Sequence, residues 1–224
     1  MRSYLDKVLA IIAKDVAVEL RSRETIASTF VFAVMAMIVF NFAFELKVDN
    51  VEAIAPGVLW VTILFAGMLS LNRSFIVEKD LGCMDGLLLC PVDRSAIYLG
   101  KMVSNLIFIL AVVAVVLPIF AGFFNLAILN VDVLVIILLG AAGFSAVGTL
   151  FSAVAVYTKT REVMLPILLL PVAIPLLVAA VKATGDTISG TPPTGGGPWL
   201  AIIVGFDAIF FVVAMLIFEH IFQE

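Results

Sequence analysis

Charge is scarce in this sequence: Asp, Glu, Lys and Arg together make up 13% of its 224 residues, about half the share usual in a soluble domain. There is one histidine and there are two cysteines. Nor is there a basic excess, since the formal net charge is −4. These shortages exclude a nucleic-acid binder held by phosphate contacts, a metalloenzyme built on a His cluster, and a disulfide scaffold. The phosphate-binding loop is missing too. Gly100-Lys101 is followed by Met102 and lacks the glycine five positions earlier that the loop requires. Hydrophobic residues, by contrast, reach 63%, more than one water-soluble globule could bury. Lipid is the solvent for most of this chain.

A helix needs about 20 apolar residues to cross the hydrocarbon core. Six stretches have that length: 25–44, 53–71, 102–124, 131–157, 163–181 and 199–218. They are continuous apolar runs without the alternation of a transmembrane β-barrel. The expected fold class is therefore all-α, a polytopic membrane protein forming one transmembrane domain over residues 1–224. The first apolar run is too long for the core of a signal peptide and is expected to remain in the mature chain.

Basic residues set the orientation. Arg2, Lys7, Lys14, Arg21 and Arg23 precede the first span; Arg73, Lys79, Arg94 and Lys101 lie between the second and third; Lys159 and Arg161 lie between the fourth and fifth. Against these eleven stand Lys47 and Lys182. The positive-inside rule then places both termini in the cytoplasm.

Residues 3–23 read as an amphipathic helix. Leu5, Val8, Leu9, Ile12, Val16 and Leu20 recur at helical spacing, which suits a helix lying in the membrane interface or packed on a partner. The loop 72–100 carries most of the remaining polar sequence. Its residues 75–81 continue helically, and Gly82 and Gly86 are breaks. Cys83 and Cys90 in this loop fit no metal or redox spacing and read as packing residues; His220, past the last span, has no companion ligands. Residues 182–198, rich in Gly, Pro and Thr, read as a flexible outer connector.

Three features inside the spans stand out. Asp207 lies midway along the sixth span, where a carboxylate marks either a functional site or a hydrogen-bonded packing contact. Pro166, Pro171 and Pro175 must kink or break the fifth span, as permissive structure or as a helix that moves or lines a pathway. Ala141, Ser145, Gly148 and Ser152 share one face of the fourth span and allow close helix approach.

Three segments together resemble the CcmB family, the membrane subunit of the ABC transporter of bacterial cytochrome c maturation. They are Ile54-Ala55-Pro56-Gly57-Val58-Leu59-Trp60-Val61; Leu71-Asn72-Arg73-Ser74-Phe75 with Asp80, Asp85-Gly86 and Pro91; and Leu165-Pro166 with Leu170-Pro171-Val172-Ala173-Ile174-Pro175-Leu176-Leu177. Asn72 and Leu88 stand where the family commonly carries acidic residues. The resemblance implies an ABC-2-type permease in the bacterial inner (plasma) membrane, not itself an enzyme. A CcmA-like ATP-binding subunit would supply hydrolysis, with CcmC-like and CcmD-like membrane proteins and a CcmE-like haem chaperone as partners. It also implies an ATPase-coupling interface at Arg73, Phe75, Glu78, Lys79, Asp80, Asp85, Gly86 and Pro91. Haem and ATP would be handled by the partners, in keeping with the single histidine and with Trp60 and Trp199 as the sole tryptophans. The rival readings are an ABC-2-type permease for a drug, lipid or polysaccharide, which shares the span plan, and an ATP-independent secondary transporter or channel. The latter would need more ionisable groups at mid-membrane than Asp207 supplies.

Overall fold

A computed structural model describes residues 4–21, 23–45, 51–80, 82, 92–124, 130–156, 158, 161–191 and 198–221. Among them are seven helices and no strand: α1 Tyr4–Arg21, α2 Arg23–Glu45, α3 Val51–Asp80, α4 Arg94–Phe124, α5 Val131–Ala155, α6 Arg161–Ile188 and α7 Trp199–Ile221. All but α1 are long and apolar enough to cross a membrane. The burial within the bundle is uneven. In the apolar windows of α3 and α5, 72% of residues are buried, against 17% in those of α2 and α7. So α3 and α5 form the centre, and α2 and α7 leave most of their apolar surface outside the bundle.

Small residues explain why α5 is central. Ser145 Oγ donates to the carbonyl of Met102 at 2.7 Å and Ser152 Oγ to that of Leu71 at 2.7 Å, fastening α5 to α4 and α3. Between them Gly148 faces Leu71 so closely that a Cβ there would lie 2.3 Å from Leu71 Cδ1. Asn105 Nδ2 donates to Thr149 Oγ1 at 2.9 Å, and Tyr98 Oη to the carbonyl of Ala146 at 3.0 Å. Without water in the core, each such polar group has to find its partner on another helix or in its own backbone.

The helix ends depart from the apolar runs. α3 continues to Asp80, nine residues past the end of its apolar stretch, and stops at Gly82, whose φ of 67° is left-handed and whose N–H donates to the Lys79 carbonyl at 3.1 Å. α4 begins at Arg94, not near residue 102. Asp93 precedes it, and its carbonyl accepts from the Ala96 N–H at 2.9 Å. The connection between them is therefore much shorter than the expected 72–100 loop.

α6 corrects one expectation, the extent of the outer connector. It runs unbroken through Pro166, Pro171 and Pro175, since Leu165, Leu169, Ala173 and Leu176 on its inner face are buried and hold it against the bundle. Pro166 is half-buried, and Pro171 and Pro175 are exposed. It also extends through Lys182 to Ile188, so the first seven residues of the expected flexible connector are helical. The stop comes at Gly190 (φ 85°), where the Gly190 N–H donates to the Thr187 carbonyl and the Thr191 N–H to the Asp186 carbonyl. That pair of bonds is a Schellman motif, which a glycine in the left-handed region permits.

Candidate functional site

At the end of the bundle carrying the chain's N-terminus, α1 crosses the first turns of α4. Ile11 sits directly over Gly100, where an added Cβ would lie 2.6 Å from Ile11 Cγ2. Ile11 joins Ile97, Tyr98, Leu150 and Phe218 in a small apolar cluster drawn from α1, α4, α5 and α7. The exposed Leu5, Leu9 and Leu20 take other directions around α1. One short helix thus has two apolar surfaces, one for the bundle and one left outside it.

The contact of α1 with α4 brings four charges together. Lys101 on α4 is almost wholly buried, with 2% of its side chain exposed; its Nζ lies 2.8 Å from Glu78 Oε2 on α3 and 3.2 Å from Asp15 Oδ2 on α1. Lys14 completes the group, contacting Asp15 Oδ1 at 3.0 Å and pairing with Glu78 Oε1. Two ammonium groups share two carboxylates across three helices. Burial pushes the Glu78 carboxyl up, but Lys101 and then Lys14 outweigh it and hold Glu78 below the usual carboxylate range. For Lys14 burial favours the neutral form, and the Glu78 and Asp15 carboxylates overcome it and raise its affinity for the proton. Glu78 and Lys14 each keep their charge because their partners are present.

Beside this cluster lies a cavity of about 210 Å³, bounded by Lys14, Asp15 and Glu19 on α1 and by Ser104, Asn105 and Phe108 on α4. Next to it, Lys79 Nζ donates to the Val156 carbonyl at 2.7 Å, tying the end of α3 to the end of α5.

Of the residues the resemblance implied as a coupling interface, Glu78 and Lys79 are thus engaged inside the subunit. Arg73, Phe75 and Asp80 lie on the last turns of α3, with side chains outside the described residues. Asp85, Gly86, Pro91, Cys83 and Cys90 lie outside them altogether, and His220 is on the last turn of α7 with its side chain outside them. No group of three His, Cys, Asp or Glu able to hold a metal occurs among the described residues. Sequence reasoning counted Lys14 and Lys101 only among the basic residues that set the orientation, gave Asp15 no role, and missed their pairing. A usable signal existed: Lys101, Ser104 and Asn105 are polar at i, i+3 and i+4 in an otherwise apolar helix, the mark of one polar face.

On the far half of the bundle Trp60 is buried. Its Nε1 donates to Thr184 Oγ1 on α6 at 3.0 Å, and its ring fills the space that a Cβ on Gly140 of α5 would enter, 2.3 Å from Cη2. Asp207 on α7 lies against Gly143 of α5; its Oδ1 is buried and accepts no hydrogen bond from the described residues.

Six apolar spanning helices, an amphipathic N-terminal helix and a charged junction at one end define a polytopic helical membrane protein. The chain belongs to the CcmB family, whose model, described as "CcmB protein", matches residues 6–223. Among its relatives is Heme exporter protein B of Pseudomonas aeruginosa, 27% identical over 192 residues, covering 85% of this chain and 86% of that one. The protein of that name in Rhodobacter capsulatus is 27% identical over 172 residues, 75% of this chain and 78% of its own. That of Bradyrhizobium diazoefficiens is 25% identical over 194 residues, with 85% and 86% covered.

Proposed function

We propose that this chain is the membrane subunit of an ABC transporter acting in cytochrome c biogenesis. A separate CcmA-like subunit hydrolyses ATP, and this chain passes the resulting movement to the opposite face of the membrane, for haem export or for release of a haem-loaded CcmE-like chaperone. CcmC-like and CcmD-like proteins complete the complex. The membrane is the bacterial inner membrane, with both termini in the cytoplasm by the eleven-to-two distribution of Lys and Arg.

The observation that carries this reading, given the family, is the ion-paired junction of Lys14, Asp15, Glu78 and Lys101. It lies at the end of α3 and the start of α4, beside the connection that a cytoplasmic motor would push. Displacement there enters α1, α3 and α4 together.

The test is a mild-detergent pull-down of the tagged chain. Recovery of an ATPase together with a tryptophan-rich haem-handling membrane protein is expected. An ATPase alone would favour an ABC-2-type permease for another substrate. Reversing Asp80 and Asp85 should weaken ATPase recovery and lower cytochrome c yield. Unchanged recovery and unchanged yield would remove the connection from the coupling interface.

A further inference from the structure

Apart from Asp132 at the edge of the fourth stretch, Asp207 is the only Asp, Glu, Lys, Arg or His within the six apolar stretches of the chain. It lies eight residues from Trp199 and eleven from Phe218, the two ends of its span, about 12 and 17 Å along the helix. Water at either membrane surface is out of reach of so short a side chain.

The bundle takes up only part of this carboxyl. Oδ1 is buried where α5 offers no side chain, at Gly143, and accepts no hydrogen bond from the described residues. Asp207 as a whole is half-buried, so its remaining edge lies at the rim of the contact between α7 and α5. That rim is apolar: one turn toward Trp199 stands Val204, 48% exposed, and one turn the other way Phe211, half-buried. Most of the apolar window of α7 lies outside the bundle, so the rim is open to a neighbour in the membrane. Ionisable groups inside spans pair with one another or face a protein interior, because leaving them against hydrocarbon is costly. The complement of a carboxylate at this depth is a cation on another membrane helix. A second copy of this chain has none to offer, since no apolar stretch contains Lys, Arg or His.

We infer that the edge of α7 formed by Val204, Asp207 and Phe211 is the docking surface for a transmembrane helix of a different membrane protein, one that carries a Lys or Arg at mid-membrane to pair with Asp207. Val204 and Phe211 supply the apolar flanks of that pair, and Gly143 leaves the room behind it in which the carboxyl is seated. This inference stands on the membrane embedding of the chain and not on the ATPase partnership, and its test reads the α7 contact alone.

The experiment is photocrosslinking in membranes that hold the chain within its native complex, from Val204→p-benzoylphenylalanine, with the crosslinked peptide sequenced. The expected peptide belongs to a membrane span of another protein and has a Lys or Arg within one helical turn of the attachment point. Asp207→Asn should lower the crosslink, per amount of chain in the membrane, about tenfold, the size of one polar contact between membrane helices. Replacing the basic residue of the captured span by Met should do the same, and the double variant should lose no more than either single one. Ile209→p-benzoylphenylalanine, on the opposite exposed side of α7, should not capture that span. No crosslinked span, a peptide from a second copy, a span without a basic residue, equal capture from both positions, an unchanged yield with Asp207→Asn, or losses that add would each overturn the assignment.

Discussion

Replacing Lys101 by Met keeps the length of the side chain in its buried channel and removes its charge. What remains among the described contacts is Glu78 and Asp15 facing each other across the α1–α3–α4 junction, with Lys14 to neutralise them. The two lost contacts, at 2.8 and 3.2 Å, are each worth about 4 kcal/mol for charge centres ~4 Å apart at an effective dielectric of ~20. The desolvation of Lys101, no longer needed, returns much of that sum. The net loss from stranding partners of a buried ion pair is typically about 3–5 kcal/mol. The cavity and the half-exposed Lys14 admit some water here, so about 3 kcal/mol is expected. Against the ~5–15 kcal/mol stability of a domain, that is a large fraction. The assay is reversible unfolding in mixed micelles, followed by helicity, for wild type, Lys101→Met, Glu78→Gln and the double variant. Because Glu78→Gln removes the carboxylate that Lys101→Met strands, the double variant should be more stable than the two single losses summed, by about 2 kcal/mol. Additivity within ~0.5 kcal/mol, or a Lys101→Met loss under ~1 kcal/mol, would refute the view of Lys101 as the centre of the junction.

The pH dependence follows from two of these groups, Glu78 and Lys14. Glu78, held below its usual 4.5, contributes stability that is present above that value and lost as pH falls through its lower folded value. Lys14, raised above 10.5, contributes stability present below that value and lost as pH rises through the folded one. The unfolding midpoint should therefore be nearly flat between about pH 5 and 10 as far as this junction is concerned, and Glu78→Gln should flatten the acid limb; an unchanged limb argues against it. Gly143→Ala puts a Cβ 2.0 Å from Asp207 Oδ1 and should cost about 1–3 kcal/mol, falling below ~1 kcal/mol in an Asp207→Ala background. Equal penalties in both backgrounds would show that the carboxylate is not what fills the space. Trp60→Phe and Thr184→Val should each lower stability by about 1 kcal/mol through the same hydrogen bond; a double variant that loses the full sum of both would count against that bond.

How much of this could be read from the chain depends on the kind of information involved. The spans are legible because membrane crossing is a property of contiguous residues, and the apolar runs place all six. Their ends are less so. α4 starts eight residues before its apolar stretch because Arg94, Ser95 and Lys101 are compatible with helix even though they lower hydropathy, and Asp93 marks the start by its position instead. α6 outlasts its apolar run because Thr184 and Thr187 return their hydroxyls to the carbonyls of Ala180 and Ala183, which makes them good neighbours in a dry helix. The charged junction is the hardest to see. Glu78 lies 64 residues from Lys14 in the chain, and no local pattern in α1 names its partner. Burial of Lys101 becomes evident only once Gly100 lets α1 cross at that level.

The junction and Trp60 sit on the same rigid element, and that bears on how the subunit transmits movement on the proposed reading. Glu78 and Trp60 are both on α3, 18 residues apart, which is about 27 Å of helix. At one end α3 is held by Lys101, Lys14 and, through Lys79, the end of α5; at the other, Trp60 is held by Thr184 of α6 and seated on Gly140 of α5. A push on the connection that follows Gly82 cannot be absorbed by bending alone, because α3 is packed along most of its length against α5. It must shift α3 along or around α5, against the seat of Leu71 on Gly148 and the hydrogen bond from Ser152 to the Leu71 carbonyl. The first contacts to feel that shift on the far side are those of Trp60. Coupling between Lys101 and Trp60 is therefore expected to be energetic as well as geometric, and a Lys101→Met, Trp60→Phe cycle that is additive for stability but not for cytochrome c yield would locate that coupling in the moving state and not in the resting fold.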